Sequence, residues 1–373
     1  MNILINASNS KAGGALQVAD SFISCLPAFG RHRFFILLSD QLSYLSDRIA
    51  RTENCRAIPY NLKHTLRGVL WAENRELDRI VESCGIDAVF TIFGPSLWRP
   101  RVLHVCGFAR PQIVYPESPF FRKIDRVKYL KYKLSEFVKL RNFARSSDVL
   151  VTENSDVSER LSRKIRNKRI YTVTNYYNQV FDNPSERVDD ITLPEFDGIT
   201  LLTVTANHPH KNVDIIYRTA DYLEANGIDL KVRFVLTLTE KEFPLTDRYR
   251  KYVRLIGRVR IAQCPHLYEQ ADIMFLPTLL ECFSASYPEA MRMGVPILTS
   301  DLSFARALCG DAAMYCDPLS AASVVEKLLL LRDAKVRADL CAKGRIRLGA
   351  YDTFDTRAEK YIEIIEKNYK NGL

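Results

Sequence analysis

Short apolar runs alternate with longer stretches of helical periodicity along the first half of the chain. The short runs predict strands at 3–6, 33–38, 88–92, 102–105, 149–152 and 170–173. The longer stretches predict helices, among them 17–26, 71–81 and 127–144. Because strands and helices take turns in this way, the pattern predicts an α/β fold with a doubly wound sheet.

The same alternation restarts after a polar, turn-prone segment around 181–198, which predicts a linker. Beyond it the pattern predicts strands at 199–205, 231–236, 253–255, 273–276 and 296–299. Helices are predicted at 213–225, 288–293, 321–331 and 336–349. We therefore predict two α/β domains, 1–185 and 186–350, followed by a C-terminal helix within 351–373 that packs back toward the first domain.

Composition narrows the class of protein. The chain of 373 residues is 47% hydrophobic and 26% charged, which excludes wholesale disorder. Its nine cysteines contain no C-x-x-C pair, which argues against a zinc cluster or a disulfide framework. The start is too short and uncharged for a signal peptide, and no apolar run approaches 18 residues. These features predict a cytosolic protein without a membrane span.

Positive charge is concentrated in the first half. Residues 1–185 hold 28 Lys or Arg and 17 Asp or Glu, a net +11, while the remainder holds 25 and 27, a net −2. The densest basic stretch interleaves aromatic residues with Arg122, Lys123, Arg126, Lys128, Lys131, Lys133 and Lys139. One interpretation is a solvated helical face whose apolar residues turn into the core. Another is a basic amphipathic surface on anionic lipid. Nucleic acid is a third, although no recognised nucleic-acid module accompanies the stretch.

The run 277–301 carries the clearest chemistry. A predicted strand leads through a loop of small residues into a helix near Pro288, so backbone N–H groups and the positive helix end can face a phosphate. Glu281 and Glu289 bracket that loop, and carboxylates accept hydrogen bonds from vicinal hydroxyls. The residues therefore indicate a sugar-phosphate site.

The stretch from Glu281 to Pro296 also resembles the E-x7-E signature of glycosyltransferase family 4. That family has the GT-B fold, in which two Rossmann-like domains face each other across a cleft, and it retains anomeric configuration. Cys282 and Ser284 stand where the family usually has glycines. The resemblance implies that Glu281 binds the donor sugar, that Glu289 holds the ribose, and that the diphosphate is approached by the backbone of Phe283, Ser284 and Ala285.

Two further runs match that family in part. Lys211, in the run from Asn207 to Asn212, occupies the position of a lysine that neutralises the departing diphosphate, but Ala206 stands where the family often has arginine. The candidates to supply the missing donor are His210 and Arg258. Near the N-terminus, Gly13 and Gly14 resemble the family's glycine-rich loop facing the donor phosphates, although a plain tight turn is the alternative.

One stretch departs from the family. Many members place a His-Asp pair after a strand near residue 105, and this chain has Cys106 and Gly107 there. His104 lies two residues before Cys106 on the same side of the predicted strand. It is therefore a candidate catalytic substitute, with a satisfied core histidine as the alternative.

Together these features predict a nucleotide-sugar-dependent hexosyltransferase that acts with retention on a glycan or lipid-linked acceptor, in surface polysaccharide or glycolipid synthesis. Apart from the donor substrate, we expect no cofactor and no metal. The expected location is the cytoplasm, peripheral at the inner face of the membrane, with no nucleic-acid partner. Two alternatives remain: a non-catalytic sugar-nucleotide-binding protein, motivated by Ala206, Cys106 and Gly107, and a GT-B-type nucleotide-sugar epimerase.

Overall fold

The computed structural model describes residues 1–11, 13–370 and 372, and within them the first α/β unit has a sheet of seven parallel strands. These are β1 (Asn2–Ala7), β2 (Arg33–Leu38), β3 (Cys55–Pro59), β4 (Ala88–Thr91), β5 (Leu103–Phe108), β6 (Val149–Thr152) and β7 (Arg169–Thr172). Their order across the sheet is β3-β2-β1-β4-β5-β6-β7. The central strands β4, β5 and β6 are buried throughout. Continuous burial is typical of parallel sheets covered on both faces, and it explains the unbroken apolar runs.

The first part of the chain also forms seven α-helices within the described residues. They are α1 (Gly14–Cys25), α2 (Ser46–Ala50), α3 (Leu66–Trp71), α4 (Arg75–Ser83), α5 (Pro111–Val114), α6 (Arg126–Ser146) and α7 (Ser155–Lys164). The prediction of one helix over 71–81 is wrong, because Ala72 adopts a left-handed conformation that ends α3 and Asn74 caps the start of α4. Strand β3 was not predicted, since this edge strand carries Arg56 and Pro59.

The second unit has its own parallel sheet. Its strands in the described residues are β8 (Ile199–Thr203), β9 (Val232–Leu236), β10 (Val253–Leu255), β11 (Ile273–Leu276), β12 (Ile297–Ser300) and β13 (Ala313–Cys316). They lie in the order β10-β9-β8-β11-β12-β13. Strand β13 was not predicted, because its sequence Ala-Met-Tyr-Cys contains no β-branched residue. Two parallel-sheet units confirm the predicted fold class.

Eight further helices follow in the described part of the chain. They are α8 (Ile215–Ala225), α9 (Asp247–Arg250), α10 (Cys264–Glu269), α11 (Ser286–Met293), α12 (Ser303–Cys309), α13 (Ala321–Leu330), α14 (Ala334–Leu348) and α15 (Phe354–Lys370). Helix α11 begins at Ser286, ahead of the predicted start at Pro288. Pro288 is tolerated there because the N–H groups of a first helical turn have no intrahelical partner to lose.

The two units are not continuous in sequence. The first comprises Met1–Pro116, Ile124–Asn175 and Asp352–Leu373, and the second comprises Glu117–Lys123 and Tyr176–Tyr351. Helix α15 belongs to the first unit, where its apolar face joins the core around β1, β4 and β5. Among the described helices, none is both long enough and apolar enough to cross a membrane.

Candidate functional site

Two loops of the second unit meet at the carboxyl edge of its sheet. Strands β8 and β11 are neighbours, so the loops 204–214 and 277–285 that follow them leave the sheet side by side. The N–H of Leu279 donates to the carbonyl oxygen of His210 at 2.7 Å, and the hydroxyl of Thr278 donates to the same oxygen at 3.1 Å. We call these two segments the paired loops.

Lys211 and Glu281, one from each of the paired loops, form an ion pair. The Lys211 Nζ lies 2.5 Å from the Glu281 Oε1, and the two side chains are only 19% and 12% exposed. The hydroxyl of Thr278 also lies 3.1 Å from this carboxylate oxygen, so its one proton is shared between Glu281 and the His210 carbonyl oxygen. A phosphate can replace the carboxylate as the partner of the ammonium group, which leaves the carboxylate to accept hydrogen bonds from hydroxyls. The structure thus brings together the two residues on which the predicted chemistry depends.

His210 lies beside this pair as a neutral imidazole. Its Nε2 is 3.9 Å from the Glu281 Oε1, and its ring stacks on the ring of His208 with centroids 5.6 Å apart. Burial lowers the pKa of His210 to about 4, so the ring carries no charge near pH 7. His210 can therefore offer a hydrogen bond to a ligand there, but not a positive charge.

Arg258, the other candidate for the missing donor, is mostly exposed. Its guanidinium donates to the Glu242 carboxylate at 2.8 Å. The backbone carbonyl of Glu242 in turn accepts a hydrogen bond from the Asn207 side chain, in the first of the paired loops. Arg258 is therefore tied to that loop through Glu242.

Glu289 lies in the first turn of α11 and is almost completely buried. Its carboxylate accepts a hydrogen bond from the Tyr268 hydroxyl at 3.0 Å. Burial raises the pKa of Glu289 to about 7, because the charged form is poorly solvated. Two roles of Glu289 stay predictions: that it holds a ribose, and that it acts with Glu281 as one motif.

The segment between the two glutamates leads directly into α11. Cys282 and Ser284, which replace the glycines usual in the resembled family, are both buried. Ala285 occupies the N-cap position, and its methyl side chain has no oxygen to offer the first helical N–H groups. Pro288 has no N–H and the Tyr287 N–H donates to the Ser284 carbonyl oxygen at 3.3 Å, so among the described residues the Ser286 N–H is the first-turn donor that can face a phosphate. Phe283 packs edge-on against Tyr351.

Asn212 is a site residue that the sequence did not single out. It is buried with φ 56, a left-handed conformation that asparagine tolerates better than most residues. Its side-chain amide donates to the carbonyl oxygens of Pro277 and Pro318 at 3.1 and 2.8 Å, and its Oδ1 accepts from the Lys123 Nζ at 2.5 Å. These bonds fix the backbone next to Lys211. The signal available in the sequence was an asparagine directly after that lysine.

Gly13 and Gly14 lie in the first unit, at the start of α1. Gly13 is the N-cap with φ 58 and ψ −139, a conformation that favours glycine. A Cβ on Gly14 would meet nothing within 4 Å, so packing does not require glycine there. A role of these glycines toward donor phosphates stays a prediction.

His104 is fully buried in the sheet of the first unit. Its Nε2 lies 2.8 Å from the Thr91 hydroxyl and its Nδ1 lies 2.5 Å from the Ser146 carbonyl oxygen, while burial lowers its pKa to about 4. These contacts favour the alternative of a satisfied core histidine. A Cβ on Gly107 would stand 1.8 Å from the carbonyl oxygen of Ile92, so this backbone excludes the aspartate that many family members carry there.

The basic stretch differs from prediction in two respects. Lys123 and Lys139 are engaged, because Lys123 pairs with Asp214 at 2.9 Å and Lys139 pairs with Glu136 at 2.7 Å. The other predicted patch residues are exposed: Arg122, Arg126, Lys128, Lys131 and Lys133. The interpretation that the apolar residues of this stretch turn into the core is confirmed for Phe120 and for Phe143 of α6, which are buried, and it is wrong for Leu134 and Phe137. Val127 and Leu130 are exposed as well.

Comparisons with known proteins identify similar sequences. Residues 198–333 match the family model described as glycosyl transferases group 1. The curated O-antigen chain mannosyltransferase B of Escherichia coli is 30% identical over 270 residues, which cover 67% of this chain and 68% of that protein.

Solved structures resemble the chain over nearly its whole length. A glycosyltransferase from Rickettsia africae has a TM-score of 0.71 at 14% identity, covering 100% of this chain and 99% of its own. Sucrose-phosphate synthase from Thermosynechococcus elongatus has a TM-score of 0.69 at 14% identity, covering 100% of both chains. HepE of Anabaena, solved with UDP and glucose, has a TM-score of 0.69 at 12% identity, covering 98% of this chain and 100% of its own. At these identities the likeness shows the fold, which is GT-B.

Proposed function

The chain belongs to the glycosyltransferases, and we propose that it is a retaining enzyme of family 4 in which Glu281 and Glu289 form the E-x7-E motif. It transfers a sugar from a nucleotide-sugar donor to an acceptor. The assignment to family 4 is supported by the Lys211–Glu281 ion pair at the carboxyl edge of the second sheet. Membership of a transferase family supports this assignment over a non-catalytic binding protein or an epimerase.

The donor would use the groups that the paired loops hold together. Its diphosphate accepts from Lys211 and from the Ser286 N–H at the start of α11, while its sugar hydroxyls donate to Glu281. Displacing the carboxylate from Lys211 with a phosphate oxygen leaves both groups partnered. The ribose hydroxyls take the place of the Tyr268 hydroxyl at Glu289.

The reaction breaks the bond between the anomeric carbon and the β-phosphate oxygen. Both electrons leave with the nucleoside diphosphate, and the acceptor hydroxyl attacks the same face of the sugar while its proton passes to the leaving phosphate. Negative charge therefore grows beside Lys211. A preorganised group that meets developing charge is worth about 3 kcal/mol of barrier, by analogy with one oxyanion-hole donor. This scheme uses no metal or cofactor.

A panel of UDP-, GDP- and ADP-sugars tests the transferase assignment, with release of nucleoside diphosphate as the measurement. We expect turnover of at least one donor, and loss of that turnover in Lys211→Met and Glu281→Gln. Lys231→Met is the matched control, because Lys231 forms an exposed ion pair with Asp197 at 2.6 Å in the same unit. Absence of turnover across the panel contradicts the proposal, and interconversion of the sugars without an acceptor indicates an epimerase.

We further propose that the acceptor is a glycan or a lipid-linked glycan at the inner face of the cytoplasmic membrane. The similar mannosyltransferase from Escherichia coli is named for the O-antigen chain, a surface polysaccharide. In this chain the whole excess of positive charge lies in residues 1–185, and exposed basic side chains line α6. Such a surface is attracted to anionic lipid headgroups at about 1 kcal/mol per basic residue.

Co-sedimentation with vesicles tests the membrane proposal. Binding should need an anionic lipid such as phosphatidylglycerol and should weaken as salt is raised. Charge reversal at Lys128, Lys131 and Lys133 should weaken it by about 100-fold or more. The matched control reverses three exposed basic residues of the second unit: Arg332, Lys335 and Arg345. Equal binding by the two triple variants contradicts the proposal.

A further inference from the structure

Exposed apolar side chains are concentrated on two helices of the first unit. Among the described residues, thirteen large apolar side chains are exposed, and eight of them lie on α3 and α6. They are Leu66, Leu70 and Trp71 on α3 and Val127, Leu130, Tyr132, Leu134 and Phe137 on α6. Single exposed apolar residues are ordinary, but a cluster of this size marks an interaction surface.

Four of the α6 side chains form one stripe. Val127, Leu130, Leu134 and Phe137 follow one another at intervals of three, four and three residues, which places them on the same face of the helix. Each of the four is between 59% and 67% exposed. The buried residues of the helix are Glu136, Asn142 and Ser146, together with the apolar Phe143. As far as Phe137, α6 thus exposes an apolar stripe and buries a carboxylate, the reverse of an ordinary amphipathic surface helix.

Hydrogen bonds hold α3 beside the C-terminal end of α6. Arg145, eleven residues or about three turns after Leu134, lies on the stripe face and donates to the carbonyl oxygen of Leu70 at 3.2 Å. Asn142 donates to the carbonyl oxygen of Gly68 at 3.1 Å. The end of α3, with Leu70 and Trp71, therefore adjoins the C-terminal end of α6, about 12 Å along the helix from Phe137, the last residue of the stripe.

The charges around this surface are predominantly positive, with the exposed Asp125, which pairs with Lys128 at 3.2 Å, and the exposed Glu73 as exceptions. Helix α6 contains seven Lys or Arg residues and one acidic residue, Glu136. Glu136 is buried and accepts from Arg110 and Lys139 at 2.6 and 2.7 Å. Lys63 and Arg67 add positive charge at α3. A surface that is apolar along its centre and basic around it is complementary to an anionic bilayer, whose headgroups take the charge and whose acyl chains take the apolar side chains.

We propose that α3 and α6 form a single membrane-insertion surface, in which Leu130, Leu134 and Phe137 enter the acyl-chain boundary and Trp71 lies at the headgroup level. This inference rests on the membrane location proposed above and goes beyond it. Electrostatic attraction alone would leave the apolar side chains in water, whereas insertion buries them. Helix α3 then becomes part of the membrane contact, although its own sequence is too short to indicate this.

Tryptophan fluorescence tests insertion directly. The chain has two tryptophans, Trp71 and Trp98, and Trp98 is fully buried. In Trp98→Phe the emission comes from Trp71 alone. Vesicles of phosphatidylglycerol should shift this emission to shorter wavelength, and lipids brominated on the acyl chain should quench it, whereas zwitterionic vesicles should do neither. If Trp98→Phe does not fold, quenching of the wild-type protein by brominated lipid gives the same answer, since the interior Trp98 lies out of reach.

Paired substitutions separate insertion from attraction. Leu130→Gln with Leu134→Gln should weaken vesicle binding on the order of 100-fold, about ten-fold for each leucine. Ile346→Gln is the matched control, because Ile346 is 80% exposed on α14 of the other unit. Salt-sensitive vesicle binding overturns insertion if the Trp71 emission does not respond to the vesicles, or if the two leucine substitutions leave the binding unchanged. Either result leaves the proposed membrane location intact. No vesicle binding overturns both, and concentration-dependent dimerisation that shields Trp71 without lipid assigns the surface to a second copy of the chain.

Discussion

Replacing Lys211 by methionine separates the structural role of its ion pair from its catalytic role. The pair has one short contact at 2.5 Å between side chains that are mostly buried. Lys211→Met leaves the Glu281 carboxylate with Thr278 as its remaining partner in the paired loops. The loss of a partner in a partly buried pair should lower the free energy of unfolding by about 2 kcal/mol. For a unit of this size, each kcal/mol corresponds to a fall in Tm of about 2–4 °C.

The double variant Lys211→Met with Glu281→Gln decides between the two roles. It removes both charges, so thermal unfolding should return to within about 1 kcal/mol of the wild type, because an unpaired charge no longer remains. Turnover should stay at least 100-fold below the wild type, because the leaving diphosphate still lacks its cation. Recovery of turnover together with stability would refute the catalytic role and leave Lys211 as a structural partner of Glu281.

Two other predictions concern burial. Glu289 binds its proton more tightly in the folded state, with a pKa of about 7, so the folded state loses stability as pH rises from about 4.5 to 7. Glu289→Gln should therefore raise the free energy of unfolding at pH 8 by up to about 3 kcal/mol, with a matching rise in Tm, and should have little effect at pH 4. An equal change at both pH values, seen by calorimetry, would contradict this. Gly107→Ala should abolish soluble folded protein, because its Cβ would meet the Ile92 carbonyl oxygen at 1.8 Å, whereas Gly30→Ala has open space and should fold.

Much of the fold could be predicted because parallel strands are buried on both faces and leave continuous apolar runs. Strands β2, β6, β10 and β11 have the bounds that the pattern predicted. Strands β3 and β13 escaped prediction because β3 carries Arg56 and Pro59 and β13 contains no β-branched residue. The break between α3 and α4 depends on the left-handed conformation of Ala72. Alanine does not favour this conformation, so the sequence did not predict the break.

The candidate site was predictable where a side chain acts through its own chemistry. Lys211 and Glu281 are 70 positions apart. Glu281 was proposed because a carboxylate accepts hydrogen bonds from sugar hydroxyls, whereas Lys211 was proposed from its position in the family resemblance. Asn212 was missed because its importance comes from three hydrogen bonds to backbone and side chains far away in sequence. Gly107 could be recognised as a departure, but the carbonyl group that requires glycine there is visible only in the folded sheet.

Helix α6 shows why hydrophobic patterning alone could not orient a helix in this chain. Apolar residues occur around most of its circumference, so the pattern did not decide which face packs against the protein. Hydrogen bonds and one aromatic contact decide it: Glu136 binds Arg110, Asn142 binds the backbone of α3, and Phe143 packs on Phe108. These contacts turn the three α6 residues inward and leave the apolar stripe outward. In water this arrangement leaves the apolar stripe exposed, so each large side chain lacks a burial free energy of about 2 kcal/mol. The proposed bilayer contact would return this free energy. On that proposal, the positive charge of the first unit attracts the stripe to the membrane surface that would bury it.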